Sequence, residues 1–409
     1  MSIYHPTHAD DKAVVMDGAP RDSVPQQSLP PTSANNYSVA MRIRLGVGVM
    51  VCLLAASAAS AEKHPAPSEA RVGVVTREFT PKAQRNWRGD EHKTLRCIIW
   101  YPAVDTAIET KQFIGPPDAP LFEAGSAMPH APFAPLLGKW PLVLLSHGSG
   151  GSAMQMAWLG TALARAGFIA VAVDHPDNNS ATDAPLTPEG MLLWWERATD
   201  LSNVLDGMLA DEEFGPKIDT RLIAAAGYSI GGFTVLELAG ARTDIDVLFQ
   251  LCRKNDDNAV CHVPEMRGMG SNEEILRAVR KTSGESLARS GESFRDPRIR
   301  AVFAIAPALG FTQTPESLRQ IRVPVEMVVG ADDSIAPARD NADYLRANIR
   351  GARETVLPHV THYTFLDTCT AQGVAKLEVY CADSPQRDAV HAQVAGMAVG
   401  FFYRALKLK

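Results

Sequence analysis

The chain has no dense basic stretch. Its 40 Lys and Arg are interspersed with 46 Asp and Glu, for a formal net charge of -6. Phosphate contacts need a concentrated positive surface, so this charge balance argues against nucleic-acid binding. Long apolar runs are missing as well, since the run at residues 45–56 falls short of the ~20 residues that span a bilayer. The six cysteines include no two at zinc-finger spacing, so a structural metal is not expected. The glycine-rich turn at residues 147–151 has neither a Walker-type lysine nor a G-x-G-x-x-G fingerprint, which argues against a nucleotide cofactor; no cofactor is expected. No internal repeat is visible. With 46% hydrophobic and 21% charged residues, the chain has apolar side chains enough for a sizeable core, and the expected partner is a small molecule.

The first forty residues are rich in Pro, Ser, Asn and Asp without apolar periodicity, and cannot offset their ordering entropy by burial. They read as a disordered leader, or as untranslated if synthesis starts at Met41. Residues 41–61 then give the basic Met41-Arg-Ile-Arg44, the apolar run and the small Ala59-Ser-Ala61, the three parts of a cleavable secretory signal. Membrane contact is expected only if that signal stays uncleaved. Export places the remaining cysteines in an oxidising compartment, where near neighbours in polar loops pair: Cys252 with Cys261, and Cys369 with Cys381. Cys97 lies in an alternating strand pattern and is the expected free thiol.

From about Arg71, short β-branched or alanine-rich runs alternate with helical patterns. That is the signature of a mostly parallel sheet with helices on both faces. Two extended segments at 71–79 and 94–101 have no helix between them and are expected to form an antiparallel leading edge. Ser152 and Gln155 read as a capping box ahead of a helix ending at Gly167. Further strands are expected at 141–146, 168–174, 221–226, 299–306, 323–330 and 353–357, a helix at 338–351, and a terminal helix from Pro385. The regular pattern breaks at residues 241–297, which read as an inserted cap over the site, or else as an insertion without substrate contact.

Gly227-Tyr-Ser-Ile-Gly231 falls between an expected strand and an expected helix. A strand that turns sharply into a helix needs small residues on both sides of the turn, and it lifts the intervening serine, Ser229, clear of the sheet beside the backbone amide of Ile230. A serine nucleophile needs a base, and the base needs a third group to hold its tautomer. Asp332 and Asp333 follow one expected strand; His359 and His362 follow another, with Tyr363 and Phe365 placed to fix the loop of His362. His147-Gly-Ser-Gly-Gly151 ends its own strand, where a flexible turn can aim the amide of Ser149 at a substrate oxygen; His147 itself reads as a support for that turn.

These motifs, with Ile99-Trp-Tyr-Pro-Ala103 and Asp174-His-Pro176, resemble the α/β-hydrolase superfamily, and within it the predicted dienelactone hydrolases and platelet-activating-factor acetylhydrolase-like esterases. The resemblance implies an α/β-hydrolase fold. Its acid loop matches Asp333 rather than Asp332, and its histidine corresponds best to His362. Dienelactone hydrolases proper use a cysteine where this chain has Ser229, so the dienelactone itself does not carry over as substrate. The resulting expectation is an exported serine carboxylic ester hydrolase acting on a small or lipid-like ester. Ser229, Asp333 and His362 are its catalytic groups, and the Ser149 and Ile230 amides its oxyanion hole. A peptidase or thioesterase would use the same groups, and a binding protein could keep the fold without turnover.

Overall fold

In the computed structural model, residues 70–81, 94–135, 138–181, 185–255, 259–382 and 384–408 are described. The expected leader and signal at residues 1–61 lie outside them. Among the described residues, no helix is long and apolar enough to cross a membrane.

The strands in chain order are β1 (Arg71–Phe79), β2 (Leu95–Ala103), β3 (Thr110–Ile114), β4 (Phe122–Pro129), β5 (Trp140–Ser146), β6 (Ile169–Val173), β7 (Ile218–Tyr228), β8 (Ile299–Ile305), β9 (Val325–Gly330), β10 (Arg353–Leu357) and β11 (Thr368–Cys369). They form one sheet in the order β10-β9-β8-β7-β5-β6-β2-β1-β4-β11, with β3 paired to β4. The six strands from β10 to β6 are parallel. β2 then turns antiparallel to both β6 and β1.

The helices are α1 (Ala157–Arg165), α2 (Pro188–Leu192), α3 (Glu196–Ala210), α4 (Ile230–Ala239), α5 (Ile245–Lys254), α6 (Asn272–Ala288), α7 (Pro315–Leu318), α8 (Ala342–Asn348), α9 (Ala371–Lys376), α10 (Glu378–Cys381) and α11 (Arg387–Ala405). Successive strand side chains point to opposite faces, and the core divides accordingly. Leu142 and Leu144 of β5 join α3 and α4 through Leu201, Leu205, Phe233 and Leu236. Val143 and Leu145 join α1 and α11 through Leu159, Leu163, Val394 and Phe402. Parallel strands covered on both faces carry apolar runs rather than alternation, which explains why β5 to β9 could be read directly from sequence.

Three expectations need correction. β1 and β2 pair as expected but are not the edge, because β4, β3 and β11 extend the sheet beyond β1. The Ser152–Gln155 capping box does not form: Ser152 makes no side-chain cap bond, and Gln155 Oε1 instead accepts from the Gly148 amide at 3.1 Å. The helix expected at 338–351 is a short 3-10 turn followed by α8. Asn341 (φ -121°, ψ -88°) breaks it, its side chain spanning the Gly310 amide and the Pro337 carbonyl.

Cys252 with Cys261, and Cys369 with Cys381, stand at disulfide distance, their Cα atoms 5.7 and 6.0 Å apart. Among the described residues Cys97 is the free cysteine, fully buried in β2. The expected cap at 241–297 consists of α5, two short 3-10 turns and α6. A capping box at Ser271 and Glu274 starts α6, and Ser286 near its end donates to Glu196 of α3 at 2.6 Å.

Glu237 of α4 is fully buried, accepts from Thr243, and is pushed well above the usual carboxylate range by that burial, with Glu196 adding in the same direction. A carboxyl whose folded value is raised contributes stability that is complete below its unfolded value of about 4.3, and that stability is lost as pH climbs through the folded value. Glu237→Gln should therefore raise the melting temperature more at pH 8 than at pH 5 in a fluorimetric pH series. A gain that is flat with pH would show that Glu237 is not the titrating group.

Candidate active site

The strand β7 turns into α4 at Ser229, which adopts φ 56° and ψ -121°. Few non-glycine residues take this region, and one that does costs of order 1–3 kcal/mol, held only where surroundings fix it. Here the Ser229 amide donates to Ile305 O at 2.8 Å and its carbonyl accepts from Ala308 N at 3.1 Å, so the end of β8 and the loop after it clamp both sides of the turn. The flanking glycines are steric necessities: a Cβ at Gly227 would lie 2.1 Å from Gly231 O, and one at Gly231 would lie 2.0 Å from Ser146 O.

Asp333 follows β9 and His362 follows β10, both at the C-terminal edge of the sheet where open α/β folds place their ligands. His362 Nε2 lies 2.8 Å from Ser229 Oγ, and His362 Nδ1 lies 2.7 Å from Asp333 Oδ2. Asp333 Oδ2 is a carboxylate acceptor, so Nδ1 donates and Nε2 is left to accept from the serine hydroxyl. The other Asp333 oxygen accepts from the Ile335 and Ala336 amides at 2.9 and 2.7 Å, which fixes the carboxylate in its loop. Tyr228 OH donates to His362 O at 3.0 Å and fixes the histidine loop. Asp332 and His359 stay outside this set: their side chains are 58% and 90% exposed, and His359 Nδ1 lies 3.9 Å from Asp332 Oδ2.

After β5, the turn 147–151 packs against Tyr228 and Ser229, close enough that a Cβ at Gly148 would come within 3.5 Å of the serine Cβ. Its amides are sorted by side chains. Gly148 N donates to Gln155 Oε1 and Gly150 N donates to Asn178 Oδ1 at 2.8 Å. Among the described residues, the Ser149 and Ile230 amides have no such acceptor. Two amides without internal partners beside a serine hydroxyl can stabilise an oxygen that gains negative charge.

Sequence reasoning named His147 as a support for this turn but missed the rest of what braces it. Arg197 of α3, 3% exposed, donates to His147 O, to Ser146 Oγ at 3.4 Å and to Asn178 Oδ1 at 3.3 Å. Ser146 Oγ lies 2.9 Å from His175 Nε2, and His175 Nδ1 lies 2.9 Å from Asp200 Oδ2, which makes a second serine–histidine–aspartate chain. Ser146 and His175 are fully buried, so this second chain braces the turn and cannot meet a substrate. His147 is also fully buried. Its Nδ1 donates to Gly148 O at 2.6 Å while Nε2 accepts from His175 N, and burial holds it well below the usual histidine range, so it stays a neutral support. The Asp174-His-Pro176 motif carried a signal for His175; Arg197 and Asp200 carried none.

From the insert, Glu265 reaches the same region and accepts from Tyr363 OH at 3.1 Å. Among the described residues, no cluster of His, Cys, Asp and Glu is arranged to hold a metal ion.

A family model described as the alpha/beta hydrolase family matches residues 142–377. The chain is similar to Cutinase est1 of Thermobifida alba, 32% identical over 27% of this chain and 33% of that protein. It is also similar to Lipase 1 of Moraxella sp. (strain TA144), 32% identical over 25% of this chain and 28% of that one. Platelet-activating factor acetylhydrolase of Cavia porcellus is 27% identical over 24% of this chain and 31% of its own length. The chain thus spans only about a third of these curated relatives. A solved ferulic acid esterase from Streptomyces cinnamoneus aligns over 85% of this chain and 93% of its own, with a TM-score of 0.56 and 19% identity, a likeness of fold.

The steric reading of the turn predicts a sharp contrast between two glycine substitutions. Gly231→Ala should destabilise the protein by about 3 kcal/mol or more, since backbone rather than a flexible side chain opposes the new methyl. Gly396→Ala in α11, where a Cβ meets nothing within 4 Å, should stabilise it by about 0.5–1 kcal/mol. Denaturant titration checks both, and equal effects would refute the steric argument.

Proposed function

Because the chain belongs to the alpha/beta hydrolase family, we propose that it is an exported serine carboxylic ester hydrolase acting through an acyl-enzyme. The observation that carries this reading is the relay in which Ser229 Oγ, His362 and Asp333 lie 2.8 and 2.7 Å apart in succession, at a strained strand-to-helix turn. Likeness to a cutinase, a lipase and an acetylhydrolase supports ester substrates.

In this mechanism His362 takes the hydroxyl proton as Ser229 Oγ attacks the ester carbonyl. Negative charge gathers on the carbonyl oxygen, which the Ser149 and Ile230 amides stabilise. His362 then returns the proton to the departing alcohol, leaving an acyl group on Ser229. A water, deprotonated by the same imidazole, releases the acid and restores the serine. Asp333 keeps its hydrogen bond to Nδ1 and so holds the donating tautomer. The insert at 241–297 acts as a cap that borders the substrate. Two cysteine pairs at disulfide distance support export to an oxidising compartment.

Hydrolysis of p-nitrophenyl esters, with fluorophosphonate labelling, tests the chemistry. Ser229→Ala and His362→Ala should each lower kcat by about 10⁴–10⁶, and the double variant should be hardly worse than either, because the groups act as a unit. Asp333→Asn should cost about 10⁴ through the wrong imidazole tautomer, whereas Asp332→Asn and His359→Ala should change little. Full activity in Ser229→Ala would end the proposal. For export, N-terminal sequencing of secreted protein should begin at or near Glu62; recovery of the chain only from the cytoplasm, with its leader intact, would overturn it.

A further inference from the structure

Glu265 is the carboxylate that the insert brings to the Ser229 site. The short turn Pro264–Met266, just after the Cys252–Cys261 pair, carries it. On one side its Oε1 accepts from Tyr363 OH at 3.1 Å, the residue next to His362. On the other its Cγ and Cβ lie 3.8 and 4.0 Å from where a Cβ would stand on Gly150, in the turn that holds the Ser149 amide. One side chain thus spans the gap between the oxyanion turn and the histidine loop. Burial raises its carboxyl, while a backbone hydrogen bond, the neighbouring His362 and the Tyr363 hydroxyl act against that rise.

In acyl transfer the alcohol leaves past the base that protonates it. Glu265 is bonded to Tyr363, the residue after His362, and so lies beside the loop that carries the base. Resting on the ester-hydrolase reading, the geometry points to Glu265 as a specificity-determining residue: it admits esters whose alcohol portion is neutral or cationic and disfavours those whose alcohol portion is anionic. A like charge placed against a fixed carboxylate in a partly desolvated gap is disfavoured, and selection against a wrong partner commonly works this way.

The test uses three butyrate esters of similar shape and different charge: butyrylcholine, 3,3-dimethylbutyl butyrate and 2-sulfoethyl butyrate. At about pH 8, chosen well above the ordinary glutamate range because burial raises this carboxyl, the unmodified protein should show a kcat/KM for the cationic ester at least about tenfold above that for the anionic one. E265Q keeps an acceptor for Tyr363 OH and should bring the ratio close to one, while Y363F keeps the charge and should keep the ratio. A ratio is insensitive to a general loss of activity, so a merely structural role for Glu265 would not move it. The discrimination should also shrink in the unmodified protein as salt is raised to about 1 M, because screening shortens the reach of the charge; this arm decides the matter if E265Q does not fold. An unchanged ratio in E265Q, or a salt-independent one in the unmodified protein, overturns the assignment while turnover of the neutral ester stands. Absence of both neutral-ester turnover and Ser229 labelling would instead remove the ester-hydrolase reading, and this assignment with it.

Discussion

The backbone of Ser229 is forced into a left-handed conformation, and much of the molecule is arranged so that this is tolerated. β7 delivers the chain to the turn from the middle of a sheet buried on both faces, and α4 leaves it at once, fully buried along its length. Neither element can shift to relieve the strain without opening the core. Glycine at 227 and 231 lets the two backbones approach within distances that no side chain would allow, and hydrogen bonds from the end of β8 and the loop after it hold the serine amide and carbonyl. The strain is of order 1–3 kcal/mol, a sizeable share of a typical net stability of about 5–15 kcal/mol. A fold that keeps such a turn has to be over-determined around it.

That constraint explains how much could be read from sequence. A sharp turn flanked by glycines, between an apolar run and a helical pattern, is a local feature with a local cause, so Ser229 was legible from five residues. Asp333 was legible because it follows β9, a buried parallel strand that reads as an apolar run; β10 is an edge strand of mixed polarity, and His362 was read instead from the aromatic residues after it and from the family resemblance. Between neighbours only four or fewer residues apart, chain position had less to say. The structure separates Asp333 from Asp332 and His362 from His359 by burial: one of each pair faces the relay and the other faces solvent. β3, β4 and β11 were not legible because they are short or mixed in polarity, and β4 contains a glycine at φ 84°. Gln155 shows the limit of local rules. Its spacing from Ser152 suits a capping box, yet the amide of Gly148, seven residues back, competes for the same oxygen and takes it.

The groups that brace the site were the least legible, for a physical reason. Arg197 and Asp200 come from α3 while His175 and Asn178 come from the loop after β6, and the two sets meet in the interior. A buried charge is tolerable when paired and costly when not, so Arg197 and Asp200 carry no signal in their own sequence windows, and only His175 had one, through the Asp174-His-Pro176 motif. The same network also shows that connectivity alone does not identify a catalytic relay. Ser146, His175 and Asp200 repeat the order and nearly the spacing of Ser229, His362 and Asp333, at 2.9 and 2.9 Å against 2.8 and 2.7 Å. What separates them is access and backbone. Ser146 ends a regular strand within the core, whereas Ser229 is lifted out of the sheet by its turn.

On the proposed ester-hydrolase reading, selectivity and chemistry rest on different parts of this molecule. The relay and its amides rest on the sheet and on α4, elements too heavily buried to vary without loss of the fold. Glu265 rests on an insert joined to the rest through α6, Ser286 and Glu196, and closed locally by the Cys252–Cys261 pair. Its side chain touches the turn after β5 and the loop after β10 without belonging to either. A residue so placed can change in charge or size while Ser229 keeps its strained geometry, because none of the bonds that hold the serine turn passes through the insert. If Glu265 sets selectivity as proposed, position 265 is free to follow the substrate, whereas positions 227 and 231 are fixed by sterics whatever the substrate is.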